Sequence, residues 1–207
     1  SIRRYTTRPA PDKNTPVPDY EQLTVHNKDI EIPTIPGTSW AGAIRHRMQE
    51  FLSAETSNDT SVKNSINKIF GYVDGEGKNA KAKSKIQFSE TRILGGADKQ
   101  ISRNAIDRFT GGTVDGALYT ESTHYGGTTE LKIAYNCDDN NKMDENEISA
   151  LAATLCDLHY GFLAVGGETS IGRGLFHITK INNNKVTEEN EKELFNIIKG
   201  EIEEVFA

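Results

Sequence analysis

One short segment of the chain combines a glycine, two hydroxyls and the start of a predicted helix. Gly37, Thr38 and Ser39 follow one another where a loop meets that helix. Unpaired backbone N–H groups, two hydroxyls and the positive end of the helix dipole therefore converge at one place, which is a ready anion site. The alternative is that Thr38 or Ser39 only caps the helix and that Gly37 only makes the turn.

A second segment, residues 165–174, contains four glycines, two hydroxyls and Arg173. It fails the P-loop pattern because no Lys followed by Ser or Thr comes after Gly172, and it fails the dinucleotide pattern because His177 stands where a further glycine is needed. An arginine among glycines suits contact with phosphate, since a backbone with few side chains lets another chain approach closely. A flexible hairpin loop is the alternative interpretation.

Other reactive residue types form no pattern that would indicate a metal site. The five histidines have no metal-ligand spacing. Cys137 and Cys156 are far apart and too few for a disulfide framework or a cysteine-based zinc site, so both are expected to be inert. The acidic run from Asp138 to Glu145 lacks the glycine that a calcium-binding loop requires, and it is interpreted as a solvated loop.

The formal net charge of −6 is unevenly distributed along the chain. Residues 137–207 hold 14 acidic and 6 basic residues, whereas the first 136 residues hold 16 acidic and 18 basic ones. Between Lys78 and Arg108, eight residues are basic and three are acidic. Exposed charges more than about 10 Å apart are largely screened, so a local basic stripe is able to contact phosphates even in an acidic protein. A solvated lysine-rich loop is the alternative.

Hydrophobic periodicity and capping residues predict four helices. They span residues 39–52, residues 62–70 before Gly71, a segment capped by Asp144 with Glu147 three residues on, and residues 187–207. Alternation predicts strands at 85–94, 117–121, 129–136, 162–165 and 175–181, with 117–121 and 129–136 forming a hairpin that turns at Gly126 and Gly127. Residues 1–20 contain four prolines and are interpreted as an extended arm without a core strand.

These elements together predict an α+β fold, with helices on one face of an antiparallel sheet. A chain of 207 residues favours one domain. With 35% hydrophobic and 26% charged residues it is expected to be globular, and no stretch approaches the roughly 20 apolar residues of a membrane span. We therefore expect a cytoplasmic protein with no membrane partner.

Four segments in order resemble the RAMP superfamily, and specifically the backbone subunits of type III CRISPR effector complexes. They are the two glycine-rich segments, the stretch from Ile69-Phe70-Gly71 to residues 84–90, and residues 103–119, which read RNAIDRFTGGTVDGALY. The resemblance covers about residues 32–178. It implies a ferredoxin-like, RRM-related antiparallel sheet with helices on one face. It also implies a single RAMP-like RNA-binding domain over residues 1–207, with a thumb-like insertion at 89–128 and a C-terminal helix at 187–207.

The resemblance also implies partners and roles for particular residues. The partners are guide RNA, target RNA and other effector subunits, including copies of the same chain. In that family both glycine-rich loops grip the guide backbone, and the thumb wedges between nucleotides. The phosphate contacts would be Gly37, Thr38, Ser39, Arg45 and Arg47, the thumb contacts Arg103, Ile106 and Arg108, and the second cradle Gly167, Ser170, Gly172 and Arg173. Contact with phosphates rather than bases suits a guide of variable sequence.

The catalytic expectation also comes from the resemblance. In cleaving members an aspartate in the loop before the first glycine-rich segment is needed for Mg²⁺-dependent cutting of target RNA. The corresponding loop here offers Asp19, Glu21 and Asp29 as candidates. Two alternatives stay open, namely a non-catalytic structural subunit and a stand-alone RNA-processing endonuclease of the same superfamily.

Overall fold

The computed structural model describes residues 2–4, 18–27, 30–73, 81–137 and 141–206. Their helices are α1 (Gly37–Glu55), α2 (Asp59–Phe70), α3 (Glu145–His159) and α4 (Leu194–Phe206), with 3-10 turns at Thr169–Ile171 and Glu191–Glu193. Their strands are β1 (Ile2–Arg4), β2 (Tyr20–Gln22), β3 (Thr24–Asn27), β4 (Ile30–Ile35), β5 (Tyr72–Val73), β6 (Lys81–Ala82), β7 (Ile86–Phe88), β8 (Thr91–Arg92), β9 (Ala97–Arg103), β10 (Tyr119–Tyr125), β11 (Ile133–Tyr135), β12 (Lys180–Ile181) and β13 (Asn184–Lys185). The α+β class is confirmed.

The chain divides into two compact units. The hairpin unit consists of Ser1–Pro36 and Glu90–Leu131, and the helical unit consists of Gly37–Ser89 and Lys132–Ala207. Among the described residues the strands form several small sheets rather than one sheet. The ferredoxin-like sheet and the thumb therefore stay predictions.

The hairpin unit is built around a four-stranded sheet in the order β1-β2-β10-β9. β9 and β10 form its long antiparallel hairpin, with Tyr119 opposite Arg103 and Tyr125 opposite Ala97. β2 runs parallel to β10, an exception to the predicted antiparallel pairing. A second sheet has the order β3-β4-β8.

Four glycines form the base of the β9–β10 hairpin. Gly95, Gly96, Gly126 and Gly127 all have φ between 74° and 89°, which glycine adopts without steric cost. A Cβ on Gly96 would lie 2.6 Å from Tyr125 O, and one on Gly127 would lie 2.8 Å from Gly95 O. The two ends of the hairpin thus approach each other more closely than side chains would permit.

The helical unit holds the larger core. Trp40, Ile44 and Met48 on α1 are at most 1% exposed, and they share this core with buried residues of the other three helices. α3 begins with the predicted capping box, because the Asp144 carboxylate accepts from Glu147 N–H and the Glu147 carboxylate accepts from Asp144 N–H. α1, α2 and α3 are confirmed within a few residues of their predicted bounds.

Several predicted strands are wrong. The stretch 117–121 does not pair with 129–136, since β10 pairs with the unpredicted β9 and β11 pairs with β7. The stretches 162–165 and 175–179 contain no strand, and only β12 remains of the second prediction. The predicted strand 85–94 is interrupted at Ser89 and Glu90, so β7 and β8 belong to different units.

The two ends of the chain also differ from expectation. Residues 2–4 form strand β1 although the proline-rich start predicted none, and their partner is β2. α4 begins at Leu194 rather than near residue 187. It packs on its own unit, because Leu194, Ile198 and Ile202 are buried. No helix in the described part of the chain is long and apolar enough to cross a membrane.

Candidate nucleic-acid interface

The first glycine-rich segment forms the first turn of α1. The helix begins at Gly37, and Thr38 is exposed while Ser39 is half-buried. A Cβ on Gly37 would lie 2.3 Å from the carbonyl oxygen of Phe88. Glycine is therefore required here by the close approach of β7, because the neighbouring atom is rigid backbone. The hydroxyl of Thr38 is left at the surface of a helix N-terminus, where the dipole favours an anion.

The second glycine-rich segment is a closed loop. Val165 N–H donates to Gly174 O over 2.9 Å. Gly174 has φ +74°, and a Cβ there would lie 2.2 Å from Val165 O. Between these ends the turn at Thr169–Ile171 is followed by Gly172 at φ +84°, with open space around it. Ser170, Gly167 and Gly172 are all exposed on this loop.

An aromatic contact brings these two segments together within the helical unit. The rings of Trp40 and Phe176 lie 4.9 Å apart with an interplanar angle of 52°. Trp40 follows Ser39 directly, and Phe176 comes two residues after Gly174. The first turn of α1 and the second loop are thus neighbours, although more than 120 residues separate them.

The three arginines of these segments differ in their surroundings. Arg45 is exposed on α1. Arg47 donates through Nε to Asp157 Oδ2 over 2.6 Å and through Nη1 to Glu50 Oε2 over 2.7 Å. Its hydrogen bonds to Glu50 and Asp157 raise the pKa of Arg47. A phosphate contact by Arg47 stays a prediction, and it would require Arg47 to exchange these partners.

Arg173 is turned toward its own loop. Its Nε lies 3.0 Å from Glu168 Oε2, and its side chain is 12% exposed. Glu168 itself has φ +57°, an uncommon conformation for a residue with a side chain. The ion pair therefore helps to define the shape of the loop, and the phosphate contact predicted for Arg173 remains untested.

In the hairpin unit Arg103 is also paired. Its Nε donates to Glu121 Oε1 over 2.5 Å, and the Glu121 side chain is fully buried. Arg103 is the last residue of β9, next to the loop that joins β9 to β10, and Glu121 lies two residues after Tyr119, the cross-strand partner of Arg103. Because a buried carboxylate is costly without a cation, Arg103 stabilises this unit. Its predicted contact with RNA stays a prediction.

The loop between β9 and β10 carries the other thumb residues. Ile106 forms an isolated bridge with Thr113, and Arg108 is exposed. The Asp107 carboxylate accepts from the backbone N–H groups of Phe109 and Thr110 over 2.7 and 2.8 Å. Those bonds, the one from Thr110 first, lower the pKa of Asp107. The tip is thus an ordered turn.

Phe109 is the residue of this tip that the sequence analysis missed. Its side chain is 91% exposed, the most exposed large hydrophobic side chain of the described residues. A single phenylalanine in a polar stretch has no periodicity to mark it. The available signal was its position beside Arg108 and before two glycines, in a segment already interpreted as projecting.

The candidate carboxylates do not form a metal site among the residues that the structure describes. Asp19 is exposed and its Oδ2 accepts from Thr120 N–H over 2.8 Å. Glu21 lies on β2, opposite Ser122 of β10. Asp29 lies outside the described residues. No group of three or more His, Cys, Asp or Glu in the described ranges is arranged to hold a metal ion. Because Asp29 is not among the described residues, the Mg²⁺-dependent role of this loop stays a prediction, and we derive no step through the metal ion.

A comparison with protein families decides the membership of the chain. The model of the RAMP superfamily matches residues 16–177 of the 207. This chain belongs to the RAMP superfamily. The matched range includes α1, the β9–β10 hairpin and the second glycine-rich loop, whereas α4 lies beyond it. The RAMP resemblance inferred from four short segments is confirmed.

Two solved structures that resemble this RAMP protein have low sequence identity to it. One chain, from a cryo-EM structure of the type III-B Cmr-beta complex bound to cognate target RNA, has a TM-score of 0.45 and 15% identity, covering 72% of this chain and 46% of its own length. Another, from a CRISPR RNA-guided surveillance complex, has a TM-score of 0.48 and 15% identity, covering 88% and 75%. This chain thus spans just under half of the first one. No curated protein matches it in sequence.

Proposed function

We propose that this chain is a backbone subunit of a type III CRISPR effector complex and binds guide RNA through its phosphates. Membership of the RAMP superfamily supports this proposal, together with the order of the four sequence segments. The proposed partners are guide RNA, target RNA, other subunits of the complex and further copies of this chain. The ferredoxin-like arrangement of the sheet is part of the same proposal.

The observation that carries the proposal is the contact between Trp40 and Phe176. It brings the first turn of α1 next to the end of the second glycine-rich loop. Exposed hydroxyls of Thr38 and Ser170 and the exposed guanidinium of Arg45 are available on these elements. All three groups suit phosphate oxygens, and contacts to phosphates carry no sequence information. The RNA would therefore be bound with little regard to its sequence.

The tip of the β9–β10 hairpin supports a second contact. Phe109 and Arg108 are exposed side by side on a turn that Asp107 orders. An aromatic ring and a guanidinium stack on the faces of all four bases, so such a tip separates neighbouring nucleotides without reading their identity. We propose that Phe109 is the residue that inserts between neighbouring nucleotides, the role that the resemblance implies for the thumb.

A binding experiment tests the proposal. Arg45→Glu and Thr38→Val are combined in one protein, and Lys192→Glu serves as the control because Lys192 is exposed on the turn before α4. Fluorescence anisotropy with a labelled single-stranded RNA is measured from about 50 to 200 mM salt. We expect the double variant to bind at least tenfold more weakly and the control to match the unmodified protein. An unmodified protein that binds no RNA, or affinity that does not change with salt, overturns the proposal.

Cleavage of target RNA is proposed separately and rests on the resemblance alone. Asp19, Glu21 and Asp29 are replaced together by alanine, and cleavage of a target bound to the guide is followed with and without Mg²⁺. Loss of cutting with unchanged guide binding supports a catalytic role for this loop. If the unmodified protein does not cut, or if the triple variant still does, the chain is a structural subunit or cuts elsewhere.

A further inference from the structure

A lysine-rich groove lies along α2, away from both glycine-rich segments in the chain. It has a volume of about 750 Å³ and runs between one face of α2 and residues of β5, β6 and the segment that follows β6. Four lysines line it, together with three asparagines and one tyrosine. These residues are Lys63, Lys68, Lys83, Lys85, Asn64, Asn67, Asn141 and Tyr72. All of them belong to the helical unit.

The wall opposite α2 is held in place by backbone contacts. Gly71 ends α2 at φ +73°, and a Cβ on it would lie 2.5 Å from Ala82 O. Lys85 N–H donates to Ile69 O over 2.9 Å. The segment that carries Lys83, between β6 and β7, is therefore fixed at the end of α2. Holding this segment against α2 by backbone contacts reduces the entropy that is lost when a ligand binds.

The lysines of the groove are not equivalent. Lys68 Nζ donates to Glu147 Oε2 over 2.5 Å and to Lys142 O over 3.1 Å. Glu147 is 1% exposed, so Lys68 balances a buried charge and belongs to the scaffold. Lys63 and Lys83 are exposed, and neither is in an ion pair with any residue that the structure describes. Their two positive charges remain available to a ligand.

We infer that this groove binds a single-stranded segment of RNA, in addition to the surface at the two glycine-rich segments. The inference rests on the proposed function for the nature of the ligand. Lysines act as point charges for phosphates, and asparagine side chains both donate to and accept from ribose and base groups. Tyr72 adds a ring on which a base is able to stack.

The shape of the groove favours a polymer over a small molecule. A site for a small ligand encloses most of the ligand surface. This groove instead follows α2 along an exposed face that includes Asp59, Thr60 and Lys63. An acidic protein segment would satisfy the lysines, but it would make no use of the exposed Asn64 side chain or of the Tyr72 ring. RNA uses all three kinds of side chain.

The experiment removes the two free charges. Lys63→Ala and Lys83→Ala are combined, and Lys180→Ala with Lys192→Ala is the matched control because it removes the same charge from exposed positions elsewhere in the same unit. Binding of a labelled oligouridine is measured by anisotropy as a function of salt. Each phosphate contact on a single strand contributes about 0.7 to the steepness of log binding constant against log salt concentration. For the Lys63→Ala, Lys83→Ala variant we therefore expect a slope shallower by about 1.4 and an RNA affinity lower by roughly ten- to thirtyfold.

The outcomes separate this inference from the proposed function. If the groove variant binds RNA like the control while the unmodified protein binds well, the groove is not an RNA site and the proposed function stands. If the unmodified protein binds no RNA, both are overturned. If polyglutamate binds as tightly as the oligouridine and with the same dependence on Lys63 and Lys83, the groove serves an acidic protein segment instead. Photo-crosslinks from 4-thiouridine RNA to peptides of α2 or to Tyr72 support the inference directly.

Discussion

The indole of Trp40 packs 4.9 Å from the ring of Phe176, and this contact joins the start of α1 to the end of the second glycine-rich loop. Neither ring is a candidate for binding RNA. Trp40 is 1% exposed and belongs to the core of the helical unit. The surface that we propose for phosphates thus depends on a hydrophobic contact behind it, and its integrity is testable without changing any charged residue.

Replacing Phe176 by alanine tests that dependence. We expect RNA affinity to fall roughly tenfold, equivalent to about 1.4 kcal/mol, because the loop loses its anchor to α1. Phe195→Ala on α4 is the control, since Phe195 is 38% exposed and lies outside the two segments. Urea titration and RNA anisotropy are measured on both variants. Equal RNA affinity in the two would show that the contact does not organise the surface.

Gly37 and Gly42 form a matched pair on α1. A Cβ at Gly37 meets the Phe88 carbonyl, whereas a Cβ at Gly42 meets nothing within 4 Å. Gly37→Ala should therefore lower the free energy of unfolding by about 1–3 kcal/mol through steric overlap. Gly42→Ala should raise it by about 0.5–1 kcal/mol, because alanine loses less backbone entropy in a helix. Chemical denaturation of both variants shows whether the two changes in the free energy of unfolding have opposite signs.

Arg103 and Arg108 provide a similar contrast in the hairpin unit. Arg103→Met leaves the buried Glu121 carboxylate without this cation, and we expect a loss of roughly 3 kcal/mol in unfolding free energy. Arg108→Met changes an exposed side chain and should stay within about 0.5 kcal/mol. Thermal unfolding distinguishes the two. A stable Arg103→Met protein with weakened RNA binding would instead assign Arg103 to the RNA.

The thiol of Cys156 should be unreactive at neutral pH. Burial, with a smaller effect of the Asp157 charge, raises the pKa of Cys156 from 9.0 to about 11. Because the folded pKa is the higher one, the stability that the protonated thiol contributes is complete below about pH 9 and is lost as the pH rises through about 11. The rate at which iodoacetamide alkylates Cys156, followed by peptide mass spectrometry, should still rise with pH at about pH 10 in the folded protein. In urea the same rate should level off at a lower pH.

The helices were predictable from sequence because their signals are local. The Asp144–Glu147 capping box and Gly71 after α2 lie within a few residues of the ends that they define. The apolar stripe of α1 identifies its buried face in the same way. For α4 the sequence predicts the buried stripe but not the start, because the acidic residues before Leu194 form a 3-10 turn.

The strand pairing could not be predicted in this way. β9 is exposed at most of its positions, and β10 buries Glu121 and Thr123 rather than apolar residues. Hydrophobic alternation is therefore absent from the longest hairpin of the described chain. Two of the arginine partners are equally non-local, since Arg47 bonds to Asp157, which lies 110 residues away, and Arg103 bonds to Glu121, which lies 18 residues away. A sequence pattern predicts that such an arginine lies near a phosphate site, but it does not show which carboxylate forms an ion pair with the arginine.

The glycine base of the β9–β10 hairpin has a consequence for protein engineering. A Cβ on Gly96 or Gly127 would overlap neighbouring backbone oxygens, so the close approach of the two strands at this end depends on these glycines. The turn around Asp107 makes its hydrogen bonds within residues 105–117. We therefore expect that the loop from Asn104 to Leu118 is replaceable by one of another length or composition without a change at the base of the hairpin.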